Sequence, residues 1–327
     1  MKLFFEKDVK SELLKNEVIA VVGFGPMGRA FALNLRDSGY KVVIGLRETS
    51  KNIENAIKEN LKVLRIEEAV KYSKVICMLC SDTAMQEVYQ IIEKTVKENE
   101  KKVLCFAHGF AITYGLIKPK KNFDVILLAP KGTGKAVREN FSNDKGTFAL
   151  LGIYQNSSGM ALNYALELAK ALKFLRKGLL KTTFENETIT DIFGEQTVLC
   201  GGISQLIKYA YETLVEKGYP KELAYLEVMH ELKYTVELIH QQGLSALWKN
   251  ISYTAKFGSL KNRERIIDSK VKKNMSKILE EIECKKFAKE LLDEYYKNKS
   301  RDVENLIRTE ENHDIEKTGK FLRKYLF

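Results

Sequence analysis

Two pairs of acids stand out between Thr182 and Ser252: Asp191 with Glu195, and Glu227 with Glu231. Each pair is spaced by four residues, so on a helix its two carboxylates lie one above the other. Like charges placed that way repel, by roughly a few tenths of a kcal/mol on an exposed face. These faces read as apolar. Asp191 and Glu195 run on into Val198, Leu199 and Gly202, while Glu227 and Glu231 lie in line with Ala224, Val228, Thr235 and Leu238. A carboxylate in an apolar stripe must be paired, protonated or bound to a cation. Four clustered oxygen ligands suit a hard cation such as magnesium. The competing reading is two solvated helix faces that happen to carry acids at one spacing.

A second group of residues points to a phosphorylated ligand. The apolar run Val18–Val22 ends at Gly23-Phe24-Gly25-Pro26-Met27-Gly28, a helical pattern follows to Gly39, and Lys41–Leu46 reads as the next strand. Strand, glycine-rich turn and helix in this order are the context in which G-x-G-x-x-G signals a dinucleotide fold. Gly23 allows the tight turn, Gly25 lets the backbone approach a pyrophosphate, and Gly28 lets helix and strand pack closely. Pro26 suits a first helical turn, where no amide hydrogen is needed. Past the second strand stand Arg47, Glu48, Ser50 and Lys51. An arginine there accommodates the 2′-phosphate of NADP, and an acid holds the ribose hydroxyls of NAD. Arg47, Ser50 and Lys51 therefore favour NADP, with Glu48 dissenting.

The elements that position these residues change character along the chain. Up to about residue 181, strand-like segments (Val75–Leu79, Lys102–Phe106, Phe123–Leu128, Thr147–Ile153) alternate with helical ones (Met85–Lys97, Ser158–Leu172). Such alternation predicts a largely parallel sheet with helices on both faces. His108 and Lys131 fall just past strand ends, where open sheets bind ligands. Beyond Asn186 nearly everything reads as helix, with breaks at Gly201-Gly202, Gly218-Tyr219-Pro220 and Gly243. The expected architecture is an α/β Rossmann-type domain over 1–181 followed by an all-α domain over 182–327.

Composition narrows the function classes. The 327 residues suit two domains, and 45% hydrophobic content argues against disorder. No apolar run reaches the roughly 18 residues of a membrane span, and the N-terminus becomes charged too early for a signal peptide, so a cytoplasmic protein is expected. The net charge of +11 comes from scattered lysines with acids among them, which argues against nucleic acid as a partner. Five cysteines form no disulfide pattern. Cys77 and Cys80 are expected on opposite faces of one buried strand, as packed thiols rather than a zinc site.

The sequence resembles ketol-acid reductoisomerase (acetohydroxy acid isomeroreductase) of the short bacterial type over essentially its whole length. Carrying the resemblance are Gly-Phe-Gly-Pro-Met-Gly, Gly-Leu-Arg, Phe-Ala-His108-Gly-Phe, Ala-Pro-Lys131-Gly, Asp191-Ile-Phe-Gly-Glu195-Gln, His230-Glu231-Leu-Lys and Ile251-Ser252-Tyr-Thr-Ala. It implies a magnesium-dependent alkyl migration in a 2-hydroxy-3-keto acid such as 2-acetolactate, then reduction by NADPH to a 2,3-dihydroxy acid, in valine and isoleucine biosynthesis. It places Asp191 between two magnesium ions, with Glu195 on one and Glu227 on the other. Glu231 would reach metal or substrate, and Ser252 the substrate carboxylate. His108 and Lys131 would form the polar network at the cofactor side, with Asp82, Met85 and Gly134 also beside the cofactor. It also implies a homodimer with shared active sites and leaves larger assembly open. The chain departs from the family's usual residues at Pro26-Met27, Arg29, Met85, Thr133 and Lys173-Phe-Leu-Arg. A plain NADP-dependent reductase of a small keto acid, and a non-enzymatic NADPH-binding sensor, are the alternatives.

Overall fold

Strands form where apolar, largely β-branched runs lie between turn residues. The computed structural model describes residues 2–326. Its strands are β1 (Leu3–Phe4), β2 (Val18–Val22), β3 (Lys41–Leu46), β4 (Lys62–Arg65), β5 (Val75–Met78), β6 (Lys102–Phe106), β7 (Phe123–Pro130), β8 (Ala149–Asn156) and β9 (Leu179–Lys181). They form one sheet in the order β1-β9-β8-β7-β6-β5-β2-β3-β4. Pairing is parallel except for β7 with β8 and β1 with β9. The chain leaves β2 toward β3 and β4, then returns to β5 on the other side of β2. That reversal is the switch point at which open sheets bind ligands, beyond the strand carboxyl ends.

Helices cover both faces: α1 (Pro26–Asp37), α2 (Ile53–Lys58), α3 (Ile66–Tyr72), α4 (Met85–Thr95), α5 (Phe110–Thr113), α6 (Gly134–Ser142), α7 (Ala161–Ala171) and α8 (Phe184–Gly194). Strand residues alternate between two cores. Val75 and Cys77 join Phe31, Leu35 and Leu168 on one face, while Ile76 and Met78 join Ile66, Val88 and Ile92 on the other. Burial on both faces makes the strands read as continuous apolar runs. The N-terminal segment is tied down by Glu167 of α7, which is buried and accepts from Leu13 N at 2.7 Å, Leu14 N at 2.9 Å and Ser11 Oγ at 2.5 Å.

Some expectations shift. β5 stops at Met78, so Cys80 lies past the strand end and is only half-buried, while Cys77 is buried opposite Cys105 of β6. Lys173, which opens the stretch Lys173-Phe-Leu-Arg in which the resembling family usually carries paired glycines, takes a left-handed φ of 60°. Its ammonium compensates by donating to Phe141 O at 3.1 Å and to Asp144 Oδ1 at 2.7 Å.

Met1–Thr190 and Asp191–Phe327 are two compact units. The second is helical from α9 (Gly201–Glu216) to a last helix, Asp314–Leu326. Its buried centre is small: Tyr211, Ala224, Tyr225 and Ile315. The last helix is pinned by polar contacts, with Tyr211 Oη and Lys221 Nζ each donating to Asp314 at 2.8 Å.

Candidate active site

The glycine loop is shaped by close approach. Gly23 has φ +103°, and a β-carbon there would strike the Leu79 carbonyl; one on Gly28 would strike the Gly23 carbonyl. At Gly25, by contrast, there is open space. Gly25 caps α1 without a side-chain acceptor, and Pro26 opens the helix. The first-turn amides therefore face outward as an anion receptor. Gly134 at the start of α6 abuts Pro26 and Met27 so tightly that a β-carbon would collide with Pro26. Thr133, where the family usually has proline, instead caps α6 by accepting from Ala136 N at 3.3 Å.

A groove of about 300 Å³ runs over this loop and is lined by Phe24, Gly25, Arg47, Ser50, Cys80 and Ser81, among others. Ser50 Oγ accepts from Asn52 N at 3.3 Å, and Arg47 lies 3.9 Å from Glu87 of α4. Lys51 is exposed beside them, Asp82 opens a short turn past Ser81, and Met85 is buried in the core. Burial pushes the Cys80 thiol up to about 12, which keeps it neutral in the groove. The open space at Gly25, the uncapped helix and the Arg47–Ser50 edge fit a phosphorylated dinucleotide.

His108 and Lys131 follow the ends of β6 and β7. The structure joins them through a residue that the spacing arguments passed over, Glu187 of α8. Its carboxylate is almost fully buried and lies 3.3 Å from His108 Nδ1 and 3.6 Å from Lys131 Nζ, and it accepts from Gly109 N at 2.8 Å. Gly109 permits this, since a β-carbon there would strike Thr188 and the Phe184 carbonyl of α8. A carboxylate on Nδ1 fixes the imidazole tautomer and ring orientation. The signal available in the sequence was the period: Glu187, Asp191 and Glu195 recur every four residues.

Of the four acids of the second unit, Asp191 lies on α8, and the other three stand at or beside non-α turns. α8 ends at Gly194, and Glu195 opens a π-turn, Glu195–Leu199, whose first carbonyl accepts from Cys200 N at 2.9 Å. A second π-turn, Leu226–His230, contains Glu227, and Glu231 N closes it on Leu226 O at 3.1 Å. Such five-residue turns concentrate at functional sites. They alter the plain four-residue stacking expected from the spacing. Gly201 and Gly202 are a junction rather than a break: β-carbons there would strike the carbonyls of Gln196 and Thr197, five residues back. The expected burial also differs. In the single chain Asp191 is half-buried while Glu195, Glu227 and Glu231 are exposed, as are Val198 (53%) and Leu199 (69%) beside them. Ser252 caps the helix Tyr253–Ile266 by accepting from Ala255 N at 3.2 Å, which leaves its own hydroxyl hydrogen to donate elsewhere.

Residues 13–178 match the family described as acetohydroxy acid isomeroreductase, NADPH-binding domain, and residues 184–326 match ketol-acid reductoisomerase, C-terminal domain. A ketol-acid reductoisomerase (NADP(+)) of Pyrobaculum aerophilum is 45% identical over 327 residues, covering 100% of this chain and 99% of that protein. One of Methanocaldococcus jannaschii is 43% identical over 325 residues, covering 99% and 98%. The solved structure of an NADH-preferring ketol-acid reductoisomerase from an uncultured archean superposes with a TM-score of 0.94 at 37% identity, covering 99% of each chain. More distant reductases, such as pyrroline carboxylate reductase of Plasmodium falciparum (TM-score 0.52, 14% identity), share the fold alone.

Proposed function

The chain belongs to the ketol-acid reductoisomerase family, and from that premise we propose how its residues divide the work. It is an NADP-dependent isomeroreductase of a small keto acid, taking 2-acetolactate-type substrates to 2,3-dihydroxy acids in branched-chain amino-acid biosynthesis. What carries this reading is the acid set Asp191, Glu195, Glu227 and Glu231, present on a chain that its relatives match end to end. Residues 1–181 hold NADPH, with Arg47, Ser50 and Lys51 toward the 2′-phosphate. Residues 182–327 hold metal and substrate and form the dimer.

The donor set is oxygen only, which fits two magnesium ions. Asp191 would bridge them, Glu195 and Glu227 would each complete one, and Glu231 would reach metal or substrate. When bound, magnesium polarises the substrate's neighbouring carbonyl and hydroxyl oxygens, and NADPH supplies the hydride. Ser252 orients the substrate by donating its hydroxyl hydrogen to the carboxylate. The Lys131 ammonium and the His108 imidazole hold the proton that the reduced oxygen takes up, and Glu187 keeps both in place.

Glu187→Gln preserves shape and removes the charge between His108 and Lys131. Turnover is expected to fall by about 100-fold, the upper range for removing an orienting carboxylate. NADPH affinity should stay near wild type. An unchanged kcat would show that Glu187 is structural only.

A dimer is supported by the second unit. Besides Val198 and Leu199, it exposes Leu244 (71%), Tyr253 (80%) and Phe257 (59%), more apolar surface than its small centre covers. Gln196 Nε2 is buried there with no hydrogen-bond partner among the described residues. We place the protein in the cytoplasm, where such biosynthesis proceeds; among the described residues no helix is long and apolar enough to cross a membrane. The test of the reaction is NADPH consumption on adding 2-acetolactate. It should proceed with magnesium and stop when magnesium is chelated; consumption that ignores chelation would overturn the metal-dependent first step.

A further inference from the structure

We propose that Arg65 is a cofactor-specificity residue that acts by withdrawing Glu48 from the nucleotide groove. Glu48 lies two residues past β3, the region in which an acid grips the ribose hydroxyls of NAD and repels the 2′-phosphate of NADP. It is therefore the one residue of the loop that opposes NADPH. The groove is lined by Leu46, Arg47, Ser50 and Asn52, which flank Glu48 in sequence, but not by Glu48 itself. The Glu48 carboxylate is instead paired with the Arg65 guanidinium. Arg65 is the last residue of β4, in register with Leu46 of β3, so the sheet fixes it directly beside the loop. Both side chains are about two-thirds exposed (63% and 66%), so burial does not hold Glu48 in place. Arg65 is its only ion-pair partner among the described residues.

Arg65 thus neutralises the dissenting acid and draws it away from the groove. Without it, Glu48 is free to swing toward the groove, where it competes with the phosphate for Arg47. An exposed ion pair has a modest effect, and the consequence is a shift in preference rather than loss of binding.

This inference rests on the NADPH reading above. The test is equilibrium binding of NADPH, NADH and 2′,5′-ADP to wild type, Arg65→Ala, Glu48→Gln and the double variant. Nucleotide fluorescence reads NADPH and NADH, and calorimetry reads 2′,5′-ADP. Arg65→Ala should weaken NADPH and 2′,5′-ADP about three- to five-fold, in the range of exposed pairs, with NADH unchanged or tighter. Adding Glu48→Gln should return the NADPH-to-NADH ratio to wild type. An unchanged ratio in Arg65→Ala would overturn the proposal. So would a double variant as weak as Arg65→Ala, because Arg65 would then act on the phosphate directly. Wild type binding NADH more tightly than NADPH would refute the NADPH reading, and this inference with it.

Discussion

Asp191→Asn should abolish turnover while leaving NADPH binding intact. The amide keeps the shape of the side chain and loses the charge that two cations would share. Charge stabilisation by a metal is worth several kcal/mol at the transition state, so its loss corresponds to a fall on the order of a thousand-fold or more. The groove over Gly25, Arg47 and Ser50 belongs to the other compact unit and is untouched by the change. The same purified protein should therefore titrate NADPH as wild type does and show no magnesium-dependent turnover. Activity near wild type would remove Asp191 from the bridging position.

The second large effect is a recovery of activity. Asp191 lies on α8 and Glu195 opens the π-turn that follows it, whereas Glu227 lies in the second π-turn and Glu231 closes it, in a separate helical segment. If one copy contributes the first pair and its partner the second, a two-fold axis generates two equivalent sites. Asp191→Asn and Glu231→Gln, each inactive alone, then fall in the same site of a mixed dimer, and its other site is whole. Random pairing makes half the dimers mixed, each with one good site, so co-expression should restore about a quarter of wild-type activity. If all four acids of a site came from one chain, every site would carry a lesion. A silent mixture, with mixed dimers demonstrated, would exclude the shared arrangement.

Much of this is legible in the sequence. Val18–Val22, Lys41–Leu46 and Lys102–Phe106 emerged at their expected bounds because buried parallel strands announce themselves as apolar runs. Lys62–Arg65 did not, since two apolar residues between charged ends carry no period; without β4, the partner of Glu48 could not be foreseen. Family membership was legible too, through motifs such as Asp191-Ile-Phe-Gly-Glu195-Gln. The acid spacing was visible, but its π-turns were not: a four-residue recurrence looks the same whether the turn holds four residues or five. Apolar neighbours likewise suggested buried acids. The single chain leaves Glu195, Glu227 and Glu231 exposed, because the apolar residues around them have too small a core to enter. Glu187 was missed for a different reason. Its partners His108 and Lys131 come from two distant strand ends, and only the sheet brings them to one carboxylate.

Reduction follows an alkyl shift, and the product itself records whether the shift took place. Migration before reduction puts both methyl groups of 2-acetolactate on one carbon, giving 2,3-dihydroxy-3-methylbutanoate. Reduction alone leaves them on adjacent carbons, giving 2,3-dihydroxy-2-methylbutanoate. Carbon NMR of the product formed with NADPH and magnesium distinguishes the two. The expected product is the compound with paired methyls, formed one for one with NADPH consumed. The compound with adjacent methyls would make this chain a plain reductase and contradict the account.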